Sequence, residues 1–440
     1  MRTSPVDTGT IERLDNPVRP YAWGSATAIP ELLGLPPTGE PQAELWLGAH
    51  PAAPSRLRSG GTLLDRIDAD PAGELSAAVV DRFGPRLPFL LKVIAAARPL
   101  SLQAHPDAAR ARAGYADEQQ RGVPADSPER SYPDPHHKPE LVCALTPFEA
   151  LCGFRAIPET LRLLETIADR APVIQHHLDA LRARPDRDGL REVVTGLLTV
   201  PASPRQRLVE AVTEACRAGG PDFAAELATG VQLGEAYPGD PGVVIALLLN
   251  RVRLEPGQAM FLAAGNLHCY LSGTAVEVLA NSDNVLRGGL TAKHVDVPEL
   301  LRVVDVADGP PPVVSPVAVG PGHAAYLPPV PDFRLDRYEL AGGPVPLGAA
   351  GPRIVLVLSG RVELDAGSGL ALDRGGSAWL PAGRPVTARG DGVLCMAGTN
   401  LGTLTGLDAG TGLGTANDVG SAGTGLGTAT GLGSAGTDLG

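Results

Sequence analysis

The stretch VRLEPGQAMFLAAGNLHCYLSG, residues Val252 to Gly273, decides the architecture. Glu255-Pro256-Gly257-Gln258 is a turn string, in which proline presets φ at one central position and glycine frees the next. On both sides apolar and polar residues alternate, as in strands with one buried face. A Pro-Gly turn followed by a strand that carries His268 inward has the texture of a jelly-roll barrel. Gly273 suggests a tight hairpin over Ser272 to Ala275. That hairpin would set Tyr270 opposite Glu277, so that two strands line one cavity.

Toward the N-terminus the same texture recurs. AELWLGAHP (43–51), LPFLLKVIAA (87–96), SLQAHPD (101–107) and ELVCALTPFEALCGF (140–154) are strand-like runs separated by Pro, Gly and Asp clusters, so Ile11 to Phe154 reads as β-rich. From Ile157 to Leu249 the period becomes helical: Pro158 suits a first turn, and Leu190, Val193, Val194, Leu197 and Leu198 share one face. Ser203-Pro204-Arg205-Gln206 resembles a capping box at the start of the next helix. His176 and His177 are adjacent on a helix and cannot face one site together, so they are read as packing or solvent-facing residues.

Toward the C-terminus, RIVLVLSGRVELDAG (353–367) and GLALDRGGSAWLPAGRPVTARG (369–390) repeat the strand, turn, strand pattern without a histidine at the equivalent place. They are read as a second jelly-roll lobe without a metal. From Thr399 the chain collapses to Gly, Thr, Leu, Ala and Ser repeats that cannot bury enough surface to offset ordering entropy, so 399–440 is expected to be a flexible tail.

Four residues in three of these strands attract attention. In a strand, alternate side chains share a face, so Ser101, Gln103 and His105 point one way, as do Lys138 and Glu140, and His268 and Tyr270. Polar rows inside apolar strands cost free energy when buried unless something satisfies them. Gln103, His105, Glu140 and His268 together offer two imidazoles, a carboxylate and an amide oxygen. That mixed N/O set suits a divalent metal with an open position for water or substrate, and is unlike the Cys-rich set of a structural zinc.

The chain has 440 residues, 43% of them hydrophobic, and a net charge of -12. That length allows two or three domains. The acidic balance, without a dense basic run, argues against a nucleic-acid partner. Five cysteines (Cys143, Cys152, Cys216, Cys269, Cys395) lack CxxC spacing and read as reduced packing residues. The N-terminus has no basic-then-apolar leader, and the longest apolar run, VVIALLL, is too short for a bilayer, so a cytoplasmic protein without a membrane partner is expected.

With these residues in view, the chain resembles the class I mannose-6-phosphate isomerases, the zinc-dependent phosphomannose isomerases of the cupin superfamily. The family's Tyr-x-Asp-x-Asn-His-Lys-Pro-Glu signature appears as YPDPHHKPE from Tyr132 to Glu140, with His136 in place of the usual Asn. Its long signature appears as HCYLSGTAVEVLANSDNVLRGGLTAK from His268 to Lys293, departing at Cys269, Leu279, Gly288 and Ala292. The resemblance runs from YAWGS near Trp23 to Met396 and leaves out the tail. It implies one zinc ion per chain on Gln103, His105, Glu140 and His268. It also implies an active-site arginine at Arg287, substrate or phosphate contacts at Ser101, Lys138 and Lys293, and pocket walls at Trp23 and Tyr270.

The fold it implies is mainly β: cupin-type jelly-roll lobes with an inserted α-helical domain. Residues 1–155 and 250–310 would form the catalytic domain, 156–249 the insertion and 311–398 the second lobe. The implied reaction interconverts D-mannose 6-phosphate and D-fructose 6-phosphate through a cis-enediol, feeding nucleotide-sugar synthesis or mannose catabolism. A zinc Lewis acid and Arg287 would stabilise the charge that develops on oxygen. With Gln103 neutral, a single carboxylate leaves the site net positive. Candidates for proton transfer are Lys138, Asp283, His137 and Glu277, with a turn-capping role open for Asp283 and a structural or substrate-side role for Glu277. A monomer is expected. An iron-dependent oxygenase using His105, Glu140 and His268, and a non-catalytic sugar-phosphate binder, are the competing readings.

Overall fold

The computed structural model describes residues 9–401. Two antiparallel sheets, one of eleven strands and one of ten, carry the molecule, with twelve α-helices among the described residues. The strand Glu12–Asp15 pairs with Ser377–Leu380, so the start of the chain belongs to the ten-stranded sheet of the C-terminal lobe. That lobe and the first share a core in which Leu45, Phe89, Ile354 and Trp379 are fully or almost fully buried.

The segment Val252 to Gly273 does not end in the expected hairpin. No hairpin forms over Ser272 to Ala275; His268–Ala280 is one strand of 13 residues. Its first half pairs with Leu102–Ala104 and Phe148–Phe154, and its second half with Phe89–Ala96 and Glu140–Ala144. Gly273 is the bend between the halves, at φ +113, and a Cβ there would lie 2.6 Å from the Pro147 carbonyl oxygen. Glycine is therefore required by a backbone neighbour distant in sequence, not by a turn. The bend brings Tyr270 and Glu277 together by side-chain hydrogen bond instead of cross-strand pairing.

The N-terminal region also holds more helix than its β-rich texture suggests, including Leu63–Ala69, Pro71–Leu75, Ala77–Phe83 and Ala108–Gln120. These helices are short or have weak apolar periodicity, so a pattern search passes over them. Pro158 does sit in the first turn of Ile157–Ala168, and the apolar face from Leu190 to Leu198 is buried in Arg187–Thr199. The next helix starts at Ala202 after Pro201, and no side chain caps it. Ser203 therefore lies inside the first turn and closes no capping box. All five cysteines are free and buried.

The ordered chain runs past Thr399: Asn400 is buried and donates to the carbonyl oxygens of Pro328 and Val330. The remainder of the expected tail lies outside the described residues. No helix among the described residues is long and apolar enough to cross a membrane.

Candidate active site

Strand alternation and the bend at Gly273 place the polar rows around one cavity of ≈ 60 Å³. His105, which directly follows strand Leu102–Ala104, Glu140 at the head of Glu140–Ala144 and His268 at the head of the bent strand converge. Their ligand atoms lie within 4.8 Å of one another, and this is the one such cluster among the described residues. Both His Nε2 atoms are 3.5 Å from a Glu140 oxygen, His105 from Oε1 and His268 from Oε2.

The outer ring nitrogens fix the tautomers. His105 Nδ1 is 2.7 Å from the Asn284 carbonyl oxygen and His268 Nδ1 is 3.1 Å from that of Asn266. A carbonyl only accepts, so each ring proton sits on Nδ1 and each Nε2 lone pair faces inward. Burial and the Lys138 charge push His105 down to about 4, which keeps it neutral at physiological pH. Its Nε2 is buried without a hydrogen-bond partner. Burial opposes the charge of Glu140, but Lys138, whose Nζ is 3.2 Å from Oε1, and the two imidazoles hold it well below the usual carboxylate range. Two inward lone pairs and a carboxylate, with one nitrogen unsatisfied, fit a divalent cation.

Beside the cluster runs a second buried chain of groups. Lys92 lies across the ladder from Glu277 on one side and Trp46 on the other. Its Nζ is 3.4 Å from Glu44 and 3.7 Å from Glu277, and 4.9 Å from the Trp46 ring. Burial opposes the Lys92 charge, but Glu44, Glu277 and Glu140 outweigh it and raise its pKa. Tyr270 donates to Glu277 at 2.7 Å. Burial, then the negative field of Glu140, raises Glu277 to about 7, against the pull of Lys92. A carboxyl that titrates near neutrality beside the cluster is poised for general acid/base work.

The expected site residues fall into two groups. Ser101, Gln103, Lys138, Glu140, His268, Tyr270 and Glu277 line the cavity, and Gln103 Nε2 donates to Ser101 Oγ at 3.1 Å. Arg287 pairs in register with Gln103 on Leu286–Gly289, and burial lowers its pKa. Lys293 is exposed, and burial and then the Arg287 charge lower its pKa. Trp23 packs against the apolar cluster that contains Tyr270.

Asp283 and His137, expected to move protons, are engaged elsewhere. Asp283 is half-exposed and 3.2 Å from His50 Nε2, and although burial opposes its charge, His50 and Lys138 hold it below the usual range. His137 Nε2 is 3.0 Å from Asp332, a buried residue of the C-terminal lobe. Neither lines the cavity. Sequence reasoning missed Glu44, Trp46 and Lys92; the available signal was a lone lysine inside the eight-residue buried strand Phe89–Ala96.

Comparison with known proteins matches this geometry to a family. The model of the phosphomannose isomerase type I catalytic domain matches residues 11–157. Mannose-6-phosphate isomerase of Escherichia coli K12 is 41% identical over 401 residues, covering 89% of this chain and 100% of the relative. The chain belongs to the type I mannose-6-phosphate isomerase family. The family's reach is wide: the Bos taurus mannose-6-phosphate isomerase is 33% identical over 411 residues, covering 84% and 93% of the two chains. A crystal structure of zinc-bound mannose 6-phosphate isomerase superposes with a TM-score of 0.82 at 38% identity, over 88% of this chain and 99% of that one. A variant of phosphomannose isomerase from Salmonella typhimurium gives the same TM-score at 39% identity and the same coverage.

Proposed function

We propose that this chain is a zinc-dependent isomerase that interconverts D-mannose 6-phosphate and D-fructose 6-phosphate through a cis-enediol. The observation that carries the reading is the His105–Glu140–His268 cluster, whose Glu140 and His268 line one cavity with Lys92, Glu277 and Tyr270. His105, Glu140 and His268, with Gln103 as fourth ligand, would hold one zinc ion per chain. The ion would supply Lewis-acid stabilisation for charge on the sugar oxygens.

The protein side of the reaction follows from the surroundings. Glu277, with a pKa of about 7, takes a proton from one carbon of the sugar and returns it to its neighbour. Asp283 and His137, candidates for this step beside Lys138, are paired with His50 and Asp332. Tyr270 orients the Glu277 carboxyl, and Lys92 keeps a positive charge beside it. Lys138 reaches Glu140 and the cavity, where it assists proton exchange between the substrate oxygens. Arg287 stabilises developing negative charge, and Lys293 with Ser101 holds the phosphate.

The finer fold description belongs to the same proposal: a mainly β protein of cupin-type jelly-roll lobes with an inserted helical domain. Its support is two antiparallel sheets with bent 13-residue strands, and the run of helices from Ile157 to Ala246 inserted between Phe148–Phe154 and Leu249–Leu254, two paired strands of the eleven-stranded sheet. We further infer a cytoplasmic monomer without nucleic-acid partners, in line with the net charge of -12.

A coupled assay of mannose 6-phosphate isomerisation tests the reading, run on purified protein, after chelation and after adding zinc back. Activity that vanishes and returns supports both reaction and metal. A fully metal-loaded protein with no isomerase activity sinks the proposal, and oxygen consumption with iron would replace it by the oxygenase reading.

A further inference from the structure

The C-terminal lobe encloses a cavity of ≈ 290 Å³ that the isomerase reading leaves without a role. Its walls come from His323–Tyr326, Arg334–Ala341, Val345–Leu347, Arg353–Asp365 and Val386–Gly398. Arg334, Asp336 and Tyr338 alternate along one strand and so share a face. Arg334 donates to Asp336 from Nε at 2.8 Å and from Nη2 at 2.6 Å, and His323 Nε2 is 2.8 Å from the same carboxylate. The His323 ring stacks on Tyr338, centroids 4.1 Å apart.

The other wall holds Arg353, only 3% exposed. Its guanidinium donates to the carbonyl oxygens of Leu347, Gly348, Pro381 and Arg384. Among the described residues no carboxylate lies within ion-pair distance of it, and Nε has no acceptor. Burial lowers its pKa to about 10, so it stays charged at neutral pH. Arg334 and Asp336 cancel, which leaves the cavity wall with one uncompensated positive charge. The four carbonyl dipoles offset part of this charge, Nε–H is the guanidinium donor left without an acceptor, and an anion is the group that would offset the remainder.

We propose that this cavity is a second ligand site, for a small organic anion of the phosphate monoester or carboxylate class. Its charged oxygens lie toward Arg353 and its carbon skeleton against Val319, Pro346, Pro352 and Met396. The volume is close to the lower end for small-molecule sites, about 300 Å³. Val319 at the wall is 54% exposed, so the cavity is open to solvent on that side. The site is independent of the isomerase reading, because it shares no residue with the cavity around Glu140.

The test uses the full chain, metal-loaded, in an Arg287→Ala, Lys293→Ala background that removes the cations assigned to phosphate at the first site. Phenyl phosphate and benzoate are titrated calorimetrically. Arg353→Met removes the charge but threatens folding, because four carbonyl contacts are lost. Gly348→Glu supplies the safer variant: a Cβ there meets nothing within 4 Å, its φ is not in the left-handed range, and the residue lines the cavity. Expected are a saturable site for at least one probe and an affinity reduced about tenfold or more by the introduced negative charge. The preferred probe tells phosphate ester from carboxylate. Absence of binding for both probes, or equal affinity with Gly348→Glu, overturns the proposal.

Discussion

The two lobes use the same kind of strand to enclose different interiors. In the first, His268–Ala280 bends at Gly273 around Glu44, Lys92, Glu140, Tyr270 and Glu277, all buried. In the second, Arg353–Asp365 has Gly360 at φ +75, where a Cβ would lie 2.0 Å from the Asp391 carbonyl oxygen. Its interior is Val355, Val357, Leu364, Leu372 and Leu394, all at 0% exposure. Architecture therefore says little about chemistry here. The apolar cluster of the second lobe is stabilised by burial, about 1.5–3 kcal/mol per large side chain, whereas the first interior needs cations and hydrogen bonds to offset its buried charges.

The largest effect that separates the lobes is loss of the metal cluster. Glu140→Gln or His268→Ala is expected to lower kcat/KM by roughly 10²–10³-fold or more, comparable to removing a single transition-state donor. Chelation should also lower stability. At metal concentrations about 1,000 times Kd the loss is about 4 kcal/mol. Calorimetry with and without zinc measures it, and an unchanged transition would mean that the first interior is satisfied without a cation.

The core comes next. Leu364→Ala in the second interior should cost about 2–5 kcal/mol, as cavity-forming Leu→Ala substitutions do. Zinc content and kcat below the unfolding transition should not change. A drop in zinc stoichiometry would erase the contrast between a structural and a functional interior.

This contrast also explains what was legible in the sequence. His105, Glu140 and His268 could be read because strand alternation is local: each segment shows its own polar row. Lys92 could not, since its meaning depends on register, with Glu277 on one neighbouring strand and Trp46 on the other. Gly273 misled because a glycine amid alternating residues signals a turn, while the Cβ that its place excludes would meet the Pro147 carbonyl oxygen, remote in sequence. The helix Ala108–Gln120 was missed although Asp107 accepts from Arg110 N as an N-cap. Its packing rests on Gly114 against the Tyr132 ring, a pairing no periodicity reveals.

A pH experiment sharpens the comparison further. In zinc-free protein Glu277 has its pKa raised to about 7 by burial and Glu140. The folded state then binds the proton more tightly than the unfolded state. The stability this contributes is present below the ordinary carboxylate pKa of about 4.3 and is lost as pH rises toward 7. Urea denaturation of chelated wild type should therefore show a fall from pH 5 to pH 8 that Glu277→Gln lacks. Parallel pH profiles for the two proteins would remove Glu277 as the neutral-range group and return proton transfer to Lys138.

The smallest expected effect lies where the lobes touch. Asp332, 2% exposed at the entry to Arg334–Ala341, holds His137 Nε2 at 3.0 Å, and its Oδ2 is buried with no hydrogen-bond partner. Arg86 is held nearby; burial lowers its pKa, and Asp332 pulls the other way. His137 immediately precedes Lys138, so the C-terminal lobe positions part of the first one. Asp332→Asn keeps the shape and removes the charge, which should cost about 1–3 kcal/mol. If the contact is the reason, His137→Ala should cost clearly less in the Asp332→Asn background than alone, with a coupling of about 0.5–3 kcal/mol. Additive losses would mean that the lobes meet there without either depending on the other, and the second lobe would then contribute packing alone to the site.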